Sequence, residues 1–221
     1  MCEFIDDSAS LFTLKEMQGC MVDSWEAWAD CKPFATRPYA HFPVWVGYDP
    51  SHTGDAAALV VIAPPRAPGG KFRLLHRQQF KGADFEQQAE AIRAITQKFN
   101  VTYIGIDTSG LGQGVYQNVI KFFPQARAYQ YSVEVKSRLV LKAKQVIGKG
   151  RFEMDSGCTD VAAAFMAIRK VLTASQRQIT YTAGRSDEAG HADLAWACMH
   201  AFDNESLAGD VAGGNSSMEI F

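Results

Sequence analysis

The sequence predicts an α/β protein with a mixed central sheet, an antiparallel three-strand start and flanking helices. Three observations carry this. Three apolar runs, VWVGYD (44–49), ALVVIA (58–63) and FRLLHRQQF (72–80), follow one another with only turn-like breaks between them. Beyond them, segments of helical and strand period alternate, the pattern of parallel pairing. A helical segment closes the ordered part of the chain.

The breaks SHTGD (51–55) and PPRAPGG (64–70) supply the Gly, Pro and Asp that short connections use. In DFEQQAEAIRAITQKF (84–99), Phe85, Ala89, Ile92, Ile95 and Phe99 recur at helical spacing behind Asp84, a candidate N-cap. YIGID (103–107) reads as a short strand apolar on both faces, and VYQNVIKFF (115–123) as a helix stopped by Pro124. ARAYQYS (126–132) suits a further strand, 135–147 and 160–173 have helical patterns, and QITYT (178–182) suits an edge strand. HADLAWACMHAF (191–202) predicts the closing helix, with Leu194, Ala197, Cys198, Ala201 and Phe202 on one face. This order of elements is that of the RNase H-like fold, which by itself leaves function open.

The flanks differ in character from residues 44–205. Residues 1–43 read as an arm or linker, with Trp25 and Trp28 followed by Pro33, Pro38 and Pro43; Thr13 and Glu16 have the spacing of a capping box. Residues 206–221, rich in Gly and Ser, predict a disordered tail. With 47% hydrophobic residues among 221, the chain can bury a full core. A formal net charge of -2 gives no overall positive field, so contact with nucleic acid requires a local patch. The 5 cysteines lack C-x-x-C spacing, which argues against a zinc site or disulfide framework and for a reducing compartment. No signal peptide or membrane-spanning apolar run is evident, so a protein that is neither secreted nor membrane-bound is expected.

Two strands end in a carboxylate. Asp49 and Asp107 each follow almost wholly apolar residues, and burying a carboxylate costs several kcal/mol unless something compensates it. A divalent cation would do so, since Mg²⁺ and Mn²⁺ favour hard oxygen ligands. If the strands are adjacent and parallel, their C-terminal ends meet at one sheet edge, where open α/β folds place ligands. The alternative is that each Asp caps a turn, for D-P-S and D-T-S-G are ordinary Asx-turn sequences. Asp193 is the third candidate, with the helix macrodipole as its alternative explanation. RSDEAGHAD (185–193) also brings Asp187, Glu188 and His191 close in sequence, as ligands, proton carriers or plain surface polarity.

GYDPSHTGDAAALVV (47–61), YIGIDTSGLGQGVY (103–116) and GHADLAWACMHAF (190–202) resemble, in order and spacing, the three acidic motifs of the nuclease domain of tailed-bacteriophage terminase large subunits. The resemblance covers roughly residues 42–205. It implies that Asp49, Asp107 and Asp193 bind two Mg²⁺ or Mn²⁺ ions and cleave double-stranded viral DNA during genome packaging. The family often has Glu where this chain has Asp107. The resemblance further implies the terminase ATPase domain, a small terminase subunit and the portal or procapsid as partners, and the host cytoplasm as the place of action. No Walker A pattern occurs here, so residues 1–43 would correspond to the end of a motor otherwise absent.

Lys136, Arg138, Lys142, Lys144, Lys149 and Arg151 fall in a stretch without an acid, beside an apolar stripe of Leu139, Ala143, Val146 and Ile147. Arg138, Lys142, Lys144 and Lys149 are the expected DNA contacts, the alternative being a solvated face. Three other functions are compatible with parts of the sequence. YDPSHTGD and IDTSGLGQG resemble the phosphate loops of actin-like or sugar-kinase-like ATPases, although one core of this size is small for their duplicated fold. A junction resolvase or transposase would keep the fold and change the substrate. A catalytically silent packaging module would work through its ends.

Overall fold

The computed structural model describes residues 10–50, 56–173, 178–183 and 192–205. In chain order the elements are α1 (Leu14–Cys20), β1 (Met21–Val22), α2 (Ser24–Ala27), β2 (Pro43–Asp49), β3 (Ala56–Ala63), β4 (Phe72–Lys81), α3 (Phe85–Lys98), β5 (Asn100–Asp107), α4 (Gly112–Val119), β6 (Arg127–Tyr129), α5 (Val133–Gly148), β7 (Phe152–Asp155), α6 (Thr159–Met166), β8 (Ile168–Leu172), β9 (Ile179–Ala183) and α7 (Asp193–Phe202).

Seven strands form one mixed sheet in the order β1-β7-β4-β3-β2-β5-β6. As expected, β2, β3 and β4 pair antiparallel in sequence order. β5 then returns parallel to β2, β6 parallel to β5, and β7 parallel to β4. The uninterrupted apolar run of β3 follows from its place at the centre: every residue from Ala56 to Ala63 is buried, alternate side chains going to opposite faces. Leu59 and Val61 join Val46, Tyr48, Ile104 and Ile106 against Ala89, Ile92 and Ile95 of α3 and Val115 of α4. Ala58, Val60 and Ile62 face the opposite layer, where α5, α6 and α7 supply Leu139, Val140, Phe165, Leu194 and Phe202. The sheet thus has helices on both sides.

Three expectations are corrected. The helix expected over 160–173 stops at Met166, and Ile168–Leu172 is a strand paired antiparallel with β9. Ile168, Val171 and Leu172 have a spacing that suits a helix as well as a strand, and only the distant partner strand decides. Second, the segment expected as an arm is built into the domain from Ser10 onward. The Thr13 capping box is present, Thr13 N–H donating to Glu16 Oε2 at 2.8 Å, and it starts a helix whose Met17 and Cys20 enter the core with Phe12. Phe12 packs edge-on against Phe165 at 5.1 Å between ring centroids, and β1 extends the sheet at β7. Third, α7 is buried from Leu194 through Phe202, not along one face alone, because it is wedged between the sheet and helices α5 and α6. The tail expected from residue 206 lies outside the described residues.

Candidate active site

The close approach of α7 to the sheet begins with a missing side chain. A Cβ on Gly47 would fall 1.8 Å from the carbonyl oxygen of Ala197, so only glycine lets the helix lie on β2 here. Gly105, its register partner on β5, lies beneath His200, whose Cβ would be 3.2 Å from an added methyl. From that crossing, two residues along the strand lead to Asp49 and one turn back along the helix leads to Asp193.

β2 and β5 are adjacent and parallel, paired as far as Tyr48 with Ile106, so Asp49 and Asp107 end the two strands at one edge. Each is 8% exposed, and Asp193 Oδ2 is buried as well. Burial pushes the Asp49 carboxyl well above the ordinary aspartate range, and the charges of Asp193 and then Asp107 push it further, while Lys136 opposes them. Burial also raises Asp107, against the hydrogen bonds of Ser109 and the charge of Lys136. Asp49 therefore lies within electrostatic range of both Asp193 and Asp107, and Asp49 and Asp107 sit in surroundings that disfavour their charged forms. Asp107 Oδ1 accepts the Ser109 backbone N–H at 2.8 Å, so the Asx-turn alternative and the shared edge both hold for this residue. The turn after Asp49 lies outside the described residues.

Behind the acids sits a polar layer that the sequence did not reveal. Ser109 Oγ accepts the Tyr131 backbone N–H at 2.8 Å. The Tyr131 hydroxyl and His200 Nε2 are 2.8 Å apart, and burial together with the charges of Asp49, Asp107 and Asp193 pushes the phenol up. His200 is wholly buried and stacks on Tyr129 at 4.7 Å; burial pushes its pKa down to about 3, against a backbone hydrogen bond at Tyr48. Its ring is neutral at neutral pH. Lys136, named above only as one cation of the basic run, acts on Asp49 and Asp107 from the start of α5.

The structure brings Asp49, Asp107 and Asp193 together; Asp187, Glu188 and His191 lie outside the described residues. Of the expected DNA contacts on α5, three are engaged by acids of this chain. Arg138 donates to Asp203 at 3.1 Å, Lys142 to Glu205 at 2.7 Å with only 9% of its side chain exposed, and Lys144 to Glu16 at 2.6 Å. Their acids come from distant segments, which is why an acid-free run in sequence is not a free cationic face. Lys149 is exposed at the far end of the helix.

Among the described residues, no three His, Cys, Asp or Glu side chains are gathered tightly enough to hold an ion as they stand. The donor chemistry nevertheless suits a hard divalent cation: carboxylate oxygens from two strand ends and one helix start, each favoured in its charged form by a cation between them.

The family model described as the terminase RNaseH-like domain matches residues 46–205, a span that includes all three acids. The chain belongs to this family. Its mixed sheet is accordingly the RNase H-like fold of terminase RNaseH-like domains. The chain is 57% identical over 212 residues to the "Terminase, ATPase subunit" of Escherichia phage P2, covering 96% of this chain and 36% of that protein. It is 41% identical over 209 residues to the "Probable terminase, ATPase subunit" of Haemophilus phage HP1, covering 94% of this chain and 34% of that one. It thus spans about a third of each relative (36% and 34%). Among solved structures, the large terminase nuclease of thermophilic phage G20c with bound magnesium superposes with a TM-score of 0.68 at 17% identity, covering 89% of this chain and 98% of that one. At that identity the likeness concerns the fold.

Proposed function

We propose that this terminase RNaseH-like domain is a metal-dependent endonuclease that cuts double-stranded DNA during bacteriophage genome packaging. The observation that carries the reading is the meeting of Asp49, Asp107 and Asp193 at the C-terminal edge shared by β2 and β5, with the start of α7. Magnesium bound in the G20c nuclease is consistent with this chemistry. In this reading Asp49, Asp107 and Asp193 would hold two Mg²⁺ or Mn²⁺ ions, which would supply activation of the attacking water and charge stabilisation at the leaving 3′ oxygen.

The chain's own residues do the positioning. Asp107 is aimed by the Ser109 N–H, Asp193 is carried by a helix fixed on Gly47, and the neutral His200 ring holds the Tyr131 hydroxyl behind the acids. Asp187 and His191 are proposed as auxiliary ligands or proton carriers. DNA approaches only once cations offset the acidic cluster, since carboxylates alone repel phosphate. In the longer protein this activity would be joined to an ATPase portion, with a small terminase subunit and the portal or procapsid as partners, in the host cytoplasm. Among the described residues, no helix is long and apolar enough to cross a membrane.

Incubation with supercoiled plasmid tests the reading: nicked and linear DNA are expected with Mg²⁺ or Mn²⁺, and none in chelator. Undiminished cleavage in chelator would overturn the metal mechanism. Calorimetric ATP binding without cleavage would favour an ATPase instead, and preference for four-way junctions a resolvase.

A further inference from the structure

The six cations between Lys136 and Arg151 look equivalent in sequence, and the fold separates them. Arg138 is held by Asp203, Lys142 and Arg151 by Glu205, and Lys144 by Glu16. Lys136, near the start of α5, joins none of the salt bridges among the described residues. Its ammonium lies instead 5.2 Å from the ring centroid of Tyr131 and 5.7 Å from that of Trp196, two rings 5.3 Å apart. This aromatic ledge is tied to the acids. Trp196 is three residues beyond Asp193 on α7, and the Tyr131 backbone is bonded to Ser109, which is bonded to Asp107.

We propose that Lys136 is a substrate-contacting residue whose ammonium binds a non-bridging oxygen of the phosphodiester being cut. The proposal rests on the nuclease reading above. Aromatic faces hold an ammonium on one side while leaving its N–H donors available on the other. The ledge that holds it is bonded through Ser109 to Asp107, and its charge acts on both Asp49 and Asp107, so it stands beside the acid edge at which a substrate phosphate would be cut.

The test compares wild type with Lys136→Gln and Lys136→Arg in the intact chain. Cleavage kinetics are measured with Mn²⁺, and association with a labelled duplex is measured across a salt series in Ca²⁺, a hard ion that also takes oxygen ligands. Lys136→Gln is expected to lower kcat/KM about tenfold to a hundredfold, the range for a hydrogen bond to a charged group. It should also make the slope of log affinity against log salt shallower by about 0.9, the value for one phosphate contact. Lys136→Arg should recover most of both. A folded Lys136→Gln with wild-type kinetics would overturn the proposal, and so would lost activity with an unchanged salt slope, the mark of a purely structural prop. Wild type that binds duplex without cutting it would overturn the nuclease reading, and the slope would then decide Lys136 alone. Wild type that neither binds nor cuts would overturn both.

Discussion

At the residue scale, His200 shows how burial sets the charge state behind the acids. In the folded protein its pKa is pushed down to about 3, whereas an unfolded chain protonates histidine near 6.5. Between those values the unfolded state binds the extra proton, so this ring's contribution to stability is complete above about pH 6.5 and is lost as pH falls toward about 3, at about 1.4 kcal/mol per unit. Urea unfolding at pH 7 and pH 5 should therefore show about 2 kcal/mol of loss traceable to the ring, and His200→Gln, less stable at pH 7, should show a flatter dependence. An equal slope in the variant would mean that the ring is not held neutral. Asp49, Asp107 and Asp193 were legible in the sequence because each stands where an apolar run ends or a helix begins. His200 was not, since it reads as one more residue of an apolar helix and its partner Tyr131 is 69 positions away. Lys136 was hidden among five similar cations, four of which take acid partners that only the fold supplies.

At the element scale, the helix that carries Asp193 depends on Gly47. Gly47→Ala sets a methyl against backbone, 1.8 Å from the Ala197 carbonyl oxygen, and α7 must move away. The expected outcome is a loss of about 1–3 kcal/mol, as for overpacked cores, together with a steep fall in cleavage because Asp193 moves with the helix. Gly148→Ala is the control: nothing lies within 4 Å of the added atom, and alanine at a helix position is favoured by up to about 1 kcal/mol. A Gly47→Ala protein with wild-type melting temperature and cleavage would show that the helix does not need this contact. The central strands were readable from their apolar runs, and α3 from its period and from the Asp84 cap that the structure contains. β7 was missed because its four residues carry too little pattern, and β8 was misread because its spacing fits either period. The full burial of α7 follows from layers above and below it, which no single segment encodes.

At the scale of the whole molecule, the sheet gathers chemistry from segments far apart in sequence: two strands made parallel by the crossover through β3, β4 and α3, and a helix that returns last to lie over them. The mixed architecture was legible from the order of elements. The contribution of residues 10–22 was not, because the prolines and tryptophans that follow suggest a linker, while Phe12, Met17 and Cys20 find their places only against α5 and α6. The central claim is that this assembly exists to hold metal between carboxylates, and replacing each acid by asparagine tests it most directly. Asparagine keeps the shape and serves nearly as well as a cap, but lacks the charge that a cation requires. Plasmid cleavage and metal-free melting temperature are measured together on Asp49→Asn, Asp107→Asn and Asp193→Asn. The account predicts that each variant loses cleavage while its metal-free melting temperature holds or rises, since repulsion among the acids is relieved. Normal cleavage by Asp49→Asn or Asp107→Asn would contradict the account, and an active Asp193→Asn would move the third ligand to Asp187 or Glu188.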